Sequence, residues 1–377
     1  VSPRTAPPRL RQWDWPLVLA AISLSLLGAV LVGSATRAEL LAADRWTATY
    51  AVRHAMNLLI GLALCWVVSR LGHRTIRRWT PWLYGASIAG LLLVLSPVGS
   101  TVNGARAWIR LPAGFSIQPS EFAKVSVIVA VALVLADRDR REAPDVRTVL
   151  RALAIAAVPA GLVLLQPDLG TVLVIGAIVA GMLAIAGVRA LHLLALAALA
   201  ALAVAAAFVL GLVDQYQVDR LTAFARPEEG AQTFGYNTQQ ARIAIGAGGL
   251  LGQGLGQGSQ TQGGFVPYNH TDFVSSVAGE ELGFLGVCVL LALLAVVLWR
   301  GLTIALRARD LFGRLVACGV VLWFGLQSFE NIGMNLGIMP VTGVPLPFVS
   351  YGGSSMFAAW IAIGLLLNVH AGATADD

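Results

Sequence analysis

The run His270-Thr271-Asp272-Phe273 sets a carboxylate directly ahead of a long apolar stretch. An aspartate so placed has two uses. It caps the start of a helix, or it acts where water meets the helix bundle as a general base that takes a proton from a substrate hydroxyl. A second cluster, Gln118-Pro119-Ser120-Glu121-Phe122-Ala123-Lys124, opens with the proline and serine that start helices. Glu121 and Lys124, three apart, then share a face one turn in. Lys124 is the only lysine in the chain. A charge in the middle of a membrane helix costs about 2.5–3.5 kcal/mol, so this pair should face a wet cavity or the bundle interior. Both a functional and a purely structural ion pair fit that requirement.

In Arg106-Ala107-Trp108-Ile109-Arg110 two arginines flank a tryptophan. They could grip a phosphate while the ring sits at headgroup level, or anchor the segment to lipid alone. Asp168, within Gln166-Pro167-Asp168-Leu169-Gly170, reads as a helix cap rather than an acid. Glu280 and Glu281 follow Asp272 by two turns and either pack against polar neighbours or line a path inward. Gln327, Glu330, Asn331 and Asn335 form one helical stripe that leads into a segment rich in proline and glycine, 338–353. The glycine run from Gly246 to Gly264 matches neither G-x-x-x-x-G-K-[ST] nor G-x-G-x-x-G, so it is no nucleotide cradle. Its glycines suit tight turns and a close backbone approach to a ligand.

The elements that must carry these residues follow from composition. Hydrophobic residues make up 57% of the 377 and charged ones only 12%, about half the charge of a soluble domain. A spanning helix needs about 20 apolar residues, and the pattern gives about ten transmembrane helices: roughly 16–36, 51–70, 79–98, 119–136, 150–166, 169–187, 190–212, 274–298, 315–337 and 354–370. The first of these is longer than the ~7–15-residue core of a signal peptide and reads as a true span. The expected fold is an all-α polytopic membrane protein. One domain covers 1–377, with a cytoplasmic tail at 1–15 and a long outer loop, 212–274, between helices 7 and 8. Seventeen of the arginines fall on the side of the amino terminus and eight on the other, which makes both termini cytoplasmic. The polar loops at 99–120, 212–272 and 338–353 then lie outside. A long irregular segment is tolerated in a membrane protein where it is buried in protein or lines a cavity, so these loops are expected to form an active site. The arginines are scattered through short loops rather than gathered in a patch, which argues against nucleic acid. Cys65, Cys288 and Cys318 lie in apolar runs without metal-ligand spacing.

The runs NGARAWIR, QPSEFAK, QPDLG, HTDF with GEELGFLG, and NIGMNLGIMPVTGVPLPFVSYGGSS together resemble the SEDS family (shape, elongation, division and sporulation), the last run being more like its RodA branch than its FtsW branch. The resemblance covers nearly the whole chain. It implies a ten-helix glycosyltransferase of the bacterial plasma membrane that polymerises lipid II on the outer face. The donor would be a glycan on undecaprenyl pyrophosphate, attacked with inversion by the acceptor 4-hydroxyl. It further implies a class B penicillin-binding protein, a transpeptidase, as partner. The family's essential aspartate falls on Asp272, and its glutamate and lysine fall on Glu121 and Lys124. Arg106, Arg110, Arg220 and Arg242 become candidate pyrophosphate clamps, with Trp108, His270 and Ser354 as further substrate contacts. A divalent cation, Mg or Mn, could share the clamp, although the sequence holds no dedicated metal cage. The chain departs from the family pattern at Tyr268, where Glu is frequent, and at Glu330, where an apolar residue is usual. The competing expectations are a flippase for lipid-linked precursors and a non-catalytic scaffold. Asp272, Glu121 and Lys124 are expected to meet across one outer cavity.

Overall fold

The structure is a computed structural model describing residues 13–102, 105–110, 116–137, 143–210, 217, 218, 220, 222, 224 and 234–374. Arg4, Arg9, Arg11, Arg138, Arg140, Arg141 and Arg226, used above for orientation, lie outside the described residues, as do Asn103, Gly104 and most of 211–233.

In chain order the elements are α1 (Trp15–Ala35), α2 (Arg37–Ala42), α3 (Thr49–Arg70), α4 (His73–Leu95), β1 (Gly99–Val102), β2 (Ala105–Arg110), β3 (Ser116–Ile117), α5 (Pro119–Ala136), α6 (Val146–Leu164), α7 (Leu169–Ile185), α8 (Ala190–Val209), α9 (Phe234–Ala247), α10 (Ser259–Gln262), α11 (Val274–Arg307), α12 (Leu311–Leu336) and α13 (Gly353–Thr374). Among the described residues seven helices are long and apolar enough to cross a membrane: α1, α3, α5, α6, α11, α12 and α13. α7 and the 190–202 part of α8 are shorter apolar helices.

Most helices outrun the spans read from hydropathy, because charged turns beyond the apolar stretch stay helical. α4 begins at His73, so Arg74, Arg77 and Arg78 lie in its first turns, and α11 runs on to Arg307. The termini are set locally. The Asp14 carboxylate accepts from Leu17 N at 3.1 Å, Asp145 from Thr148 N at 3.0 Å and Asp310 from Gly313 N at 3.0 Å. α12 stops at Gly337, which takes the left-handed conformation at φ 76°.

α5, α12 and α13 form the middle of the bundle. Ile128, Leu135, Leu315, Trp323 and Trp360 are buried there in one continuous apolar core. α13 packs along α3, α1 along α11, and α12 against α5, α7 and α11. Two ends result. At one, Arg300 pairs with Asp14, His73 with Asp310, and Asn368 donates to the Leu71 carbonyl. At the other lie the polar loops and a small antiparallel sheet in the order β1-β2-β3. That sheet was not expected in the 99–120 loop. Its strands run two to six residues, too short to print an alternating pattern, and the register shifts between Ser100, paired with Trp108, and Thr101, paired with Arg106.

The described part of the expected 212–274 loop from residue 234 onward contains two helices, α9 and α10. Its glycine run packs against α11. α11 is broken at Gly283 (φ 67°, ψ −167°), and the run fills the break. Gln253 N donates to the Glu280 carbonyl at 2.9 Å and Gly254 N to that of Glu281 at 3.1 Å. In return the Gly249 carbonyl accepts from Phe284 N at 2.9 Å. A Cβ on Gly252 would stand 2.2 Å from the Glu281 carbonyl oxygen, so the approach requires glycine. A close backbone approach was foreseen from the sequence, and here it is made to the broken helix. Glu280 locks it. One carboxylate oxygen accepts from Gln260 N at 2.6 Å, the other from Thr261 N at 2.9 Å and Thr261 Oγ1 at 2.6 Å. Glu281 accepts from Gln262 Nε2 at 3.2 Å, which bears out packing against polar neighbours.

Candidate active site

A cavity of about 340 Å³ opens at the loop-bearing end. Its wall combines Trp108 from β2, Gln118 ahead of α5, Asp168 ahead of α7, Arg220, the 268–272 turn, and Thr342, Gly343 and Tyr351 from the segment before α13. Five residues singled out in the sequence line it: Asp272, His270, Trp108, Arg220 and Asp168.

Asp272 is half-buried and does not cap its helix: the cap position of α11 is Phe273, with no side-chain bond. Its backbone is pinned instead. Tyr268, at φ 55°, turns the chain so that its carbonyl accepts from the N–H groups of Thr271, Asp272 and Phe273 at 3.1–3.2 Å. The Asp272 carbonyl accepts from Asn331 Nδ2 at 2.9 Å and Asn335 Nδ2 at 3.1 Å. Asn331 Nδ2 also reaches the Val344 carbonyl at 2.9 Å. Ser350 Oγ donates to the Thr271 carbonyl at 2.6 Å, and Tyr351 N to that of His270 at 2.9 Å. The stripe on α12 thus holds the aspartate turn and the proline-glycine segment as one unit.

Burial pushes the Asp272 carboxyl up to about 6, against the opposing pull of the Arg220 guanidinium. Arg220 Nη1 donates to the Thr342 carbonyl at 3.0 Å. The backbone of Gly343 lies beside both groups; a Cβ there would stand 3.5 Å from Asp272 Oδ2 and 3.7 Å from Arg220 Nη2. At neutral pH the site offers a charged carboxylate with basic character next to a fixed cation. His270 is held below its ordinary range by burial, and its ring packs among Tyr50 and Tyr351 at 5.4 and 5.9 Å.

The remaining expected residues lie elsewhere. Glu121 and Lys124 do not meet Asp272 across the cavity. They are 1% and 0% exposed and sit one layer beneath its wall, paired at 2.8 Å. Lys124 Nζ also donates to Gln327 Oε1 at 2.7 Å and lies 4.9 Å from the centre of the Trp323 ring. The helix face they share turns into the packed bundle, where α12 closes over them. Arg106 spends its guanidinium on the carbonyls of Ser96 (2.7 Å) and Gly99 (3.3 Å), bracing the sheet to α4. Arg110 is exposed at the end of β2, and Arg242 is exposed on α9 against Gly337. Ser354 is buried, and its hydroxyl accepts from Gln118 N at 2.8 Å, tying α13 to the start of α5. Asp168 caps α7, accepting from Thr171 N at 3.1 Å and Thr171 Oγ1 at 2.8 Å, and also faces the cavity.

Sequence reasoning missed Gln118, Tyr351 and Thr342. Each lay inside a quoted motif, but nothing in residue type set them apart. Among the described residues no group of three or more His, Cys, Asp or Glu side chains is placed to hold a metal ion. The cavity carries Asp272 and Asp168, the latter already engaged by Thr171, so these residues do not make a cation cage.

The FtsW/RodA/SpoVE family model, described as a cell cycle protein, matches residues 15–375. The chain is 38% identical over 371 residues to a probable peptidoglycan glycosyltransferase FtsW of Trichlorobacter lovleyi, covering 97% of this chain and 95% of that one. Among solved structures it is similar to a chain of a peptidoglycan synthase complex described as coordinating polymerization and crosslinking. The TM-score is 0.80 and the identity 35%, over 97% of this chain and 99% of that one. It is also similar to the rod shape determining protein RodA of Thermus thermophilus, with TM-score 0.69 and 34% identity over 96% and 98% of the two chains. The similarity spans the FtsW and RodA branches alike.

Proposed function

Because the chain belongs to the FtsW/RodA/SpoVE family, we propose that it is a peptidoglycan glycosyltransferase that polymerises lipid II on the outer face of the plasma membrane. In this reading α4, α7 and α8 complete ten spans, both termini are cytoplasmic, and the cavity end faces outward. The observation that carries it is the half-buried Asp272 carboxylate on a cavity of about 340 Å³, beside Arg220. A base poised just below neutral pH suits removal of a hydroxyl proton.

The acceptor 4-hydroxyl attacks the anomeric carbon of the donor glycan. As the new C–O bond forms, its proton passes to Asp272. The bond to undecaprenyl pyrophosphate breaks, the pyrophosphate leaves with the electron pair, and the centre inverts. Arg220 is the cation on this wall that can meet the leaving group's charge. A class B penicillin-binding protein is the proposed partner, supported by the likeness to a chain of a synthase complex. A role in elongation and shape rests on the run from Pro340 to Ser355, against a sequence relative that carries the FtsW name. Depletion that rounds the cells supports it, and filaments would point to division.

A flippase would need ionisable groups facing a route through the bundle. Lys124 and Glu121 are closed off instead by Gln327 and Trp323. The deciding experiment is polymerisation of lipid II by the purified protein, with and without the transpeptidase, beside Asp272→Ala. Normal glycan chains from well-folded Asp272→Ala protein would sink the base assignment.

A further inference from the structure

Gln327 is a neutral side chain on α12 that meets three groups at once. Its Oε1 accepts from Lys124 Nζ at 2.7 Å and from Trp323 Nε1 at 2.6 Å. Its Nε2 donates to the Pro345 carbonyl at 2.7 Å. Ammonium and indole are donors only, and a carbonyl is an acceptor only, so just one orientation of the amide satisfies all three. Gln327 is 1% exposed, and no water can substitute for a lost bond without a cavity to hold it. The side chain therefore converts two buried donors into one donor aimed at the cavity wall.

That wall segment carries the electrostatics of the site. Pro345 lies two residues from Gly343, where an added Cβ would stand 3.5 Å from Asp272 Oδ2 and 3.7 Å from Arg220 Nη2, and three from Thr342, whose carbonyl holds Arg220. We infer that Gln327 is a positioning residue: it transmits the fixed location of the Glu121–Lys124 ion pair through Pro345 to the segment that sets Arg220 against Asp272. This rests on the assignment of Asp272 as base. It gives the buried ion pair a role in the reaction without contact with substrate, which explains how a pair sealed beneath the wall can matter to chemistry above it.

Gln327→Glu separates the two halves of the adaptor. The carboxylate still accepts from Lys124 and Trp323, but it confronts the Pro345 carbonyl with a second acceptor. The Pro345 anchor is lost, leaving Asn331 on the Val344 carbonyl as the neighbouring tie to α12, and Arg220 recedes from Asp272. Arg220 opposes the upward push of burial on Asp272, so its withdrawal raises the pH at which the base is lost. In detergent-purified full-length protein assayed with lipid II, Gln327→Glu should lower kcat/KM about tenfold to a hundredfold at neutral pH. The acid limb of its pH–rate profile should move to higher pH, so that activity partly returns as pH rises. Gln327→Asn keeps the neutral amide but is one methylene too short to span Lys124 and Pro345, and it carries the same prediction if Gln327→Glu does not fold.

A folded variant with the wild-type rate and an unmoved acid limb overturns the inference. So does a rate loss that leaves the limb unmoved, which is the signature of a merely structural amide. Asp272→Asn run in parallel keeps the two ideas apart. An active Asp272→Asn protein removes the base assignment itself. An inactive one beside an unaffected Gln327 variant removes only the adaptor.

Discussion

At Asp272 the burial that tunes the carboxylate also taxes the fold. Its carboxyl stands at about 6 in place of the ordinary 3.8, so the folded protein binds this proton more tightly than the unfolded chain. The stabilisation is complete below the ordinary value and is lost as pH rises through about 6. Two outcomes follow. Polymerisation should fall as pH drops through about 6, in a single-proton limb absent from Asp272→Asn, which should be inactive. Thermal unfolding at pH 7 should show Asp272→Asn at least as stable as the parent chain. The buried ion pair has the opposite sense. Lys124→Ala strands the Glu121 carboxylate, and breaking such a pair costs about 3–5 kcal/mol. Thermal unfolding should therefore show a large loss of stability for Lys124→Ala and a much smaller one for Glu121→Gln combined with Lys124→Met. Types and spacing revealed Asp272, Glu121 and Lys124 from the sequence. Which way they face did not follow, because three-residue spacing fixes a shared helix face but not what covers it.

Among the elements, the central helices were readable from hydropathy, and α5 matches its expected span of 119–136 residue for residue. Helix extensions, the three-strand sheet and the break in α11 were not. Charged turns carry no apolar signal, and the glycine run announced a close backbone approach without showing that its partner is a broken helix. Gly283→Ala tests the break. A Cβ would meet the Gly252 nitrogen at 2.2 Å on a backbone already at φ 67°. The substitution should cost roughly 1–3 kcal/mol in thermal unfolding. Protease sensitivity should rise within 248–264, while α12 and α13 keep their protection.

For the whole molecule, the proposed orientation predicts what reaches the cell exterior. With Cys65, Cys288 and Cys318 replaced by alanine, Leu255→Cys in the exposed glycine run should react with a membrane-impermeant thiol reagent on intact cells or spheroplasts. Arg309→Cys, between α11 and α12, should react only after lysis. The reverse pattern would invert the topology and remove the active site from the outer face. Arginine bias is the sequence ground for this orientation, whereas the convergence of 105–108, 118, 167–168, 220, 268–272 and 342–352 on one cavity depends on helix packing that no single segment encodes. The break at Gly283 has a mechanical consequence at this scale. α11 has 34 residues, about 51 Å if straight, more than the ~30 Å hydrocarbon layer it must cross. The part beyond the break, residues 284–307, is about 36 Å long, close to the length that the hydrocarbon layer requires. The part before it is moored to the glycine run and to α12. Gly283 thus divides the helix into an arm sized to the bilayer and an arm fixed to the site, and the glycine run braces both at the joint, bonding Glu280 and Glu281 on one side and Phe284 and Leu285 on the other.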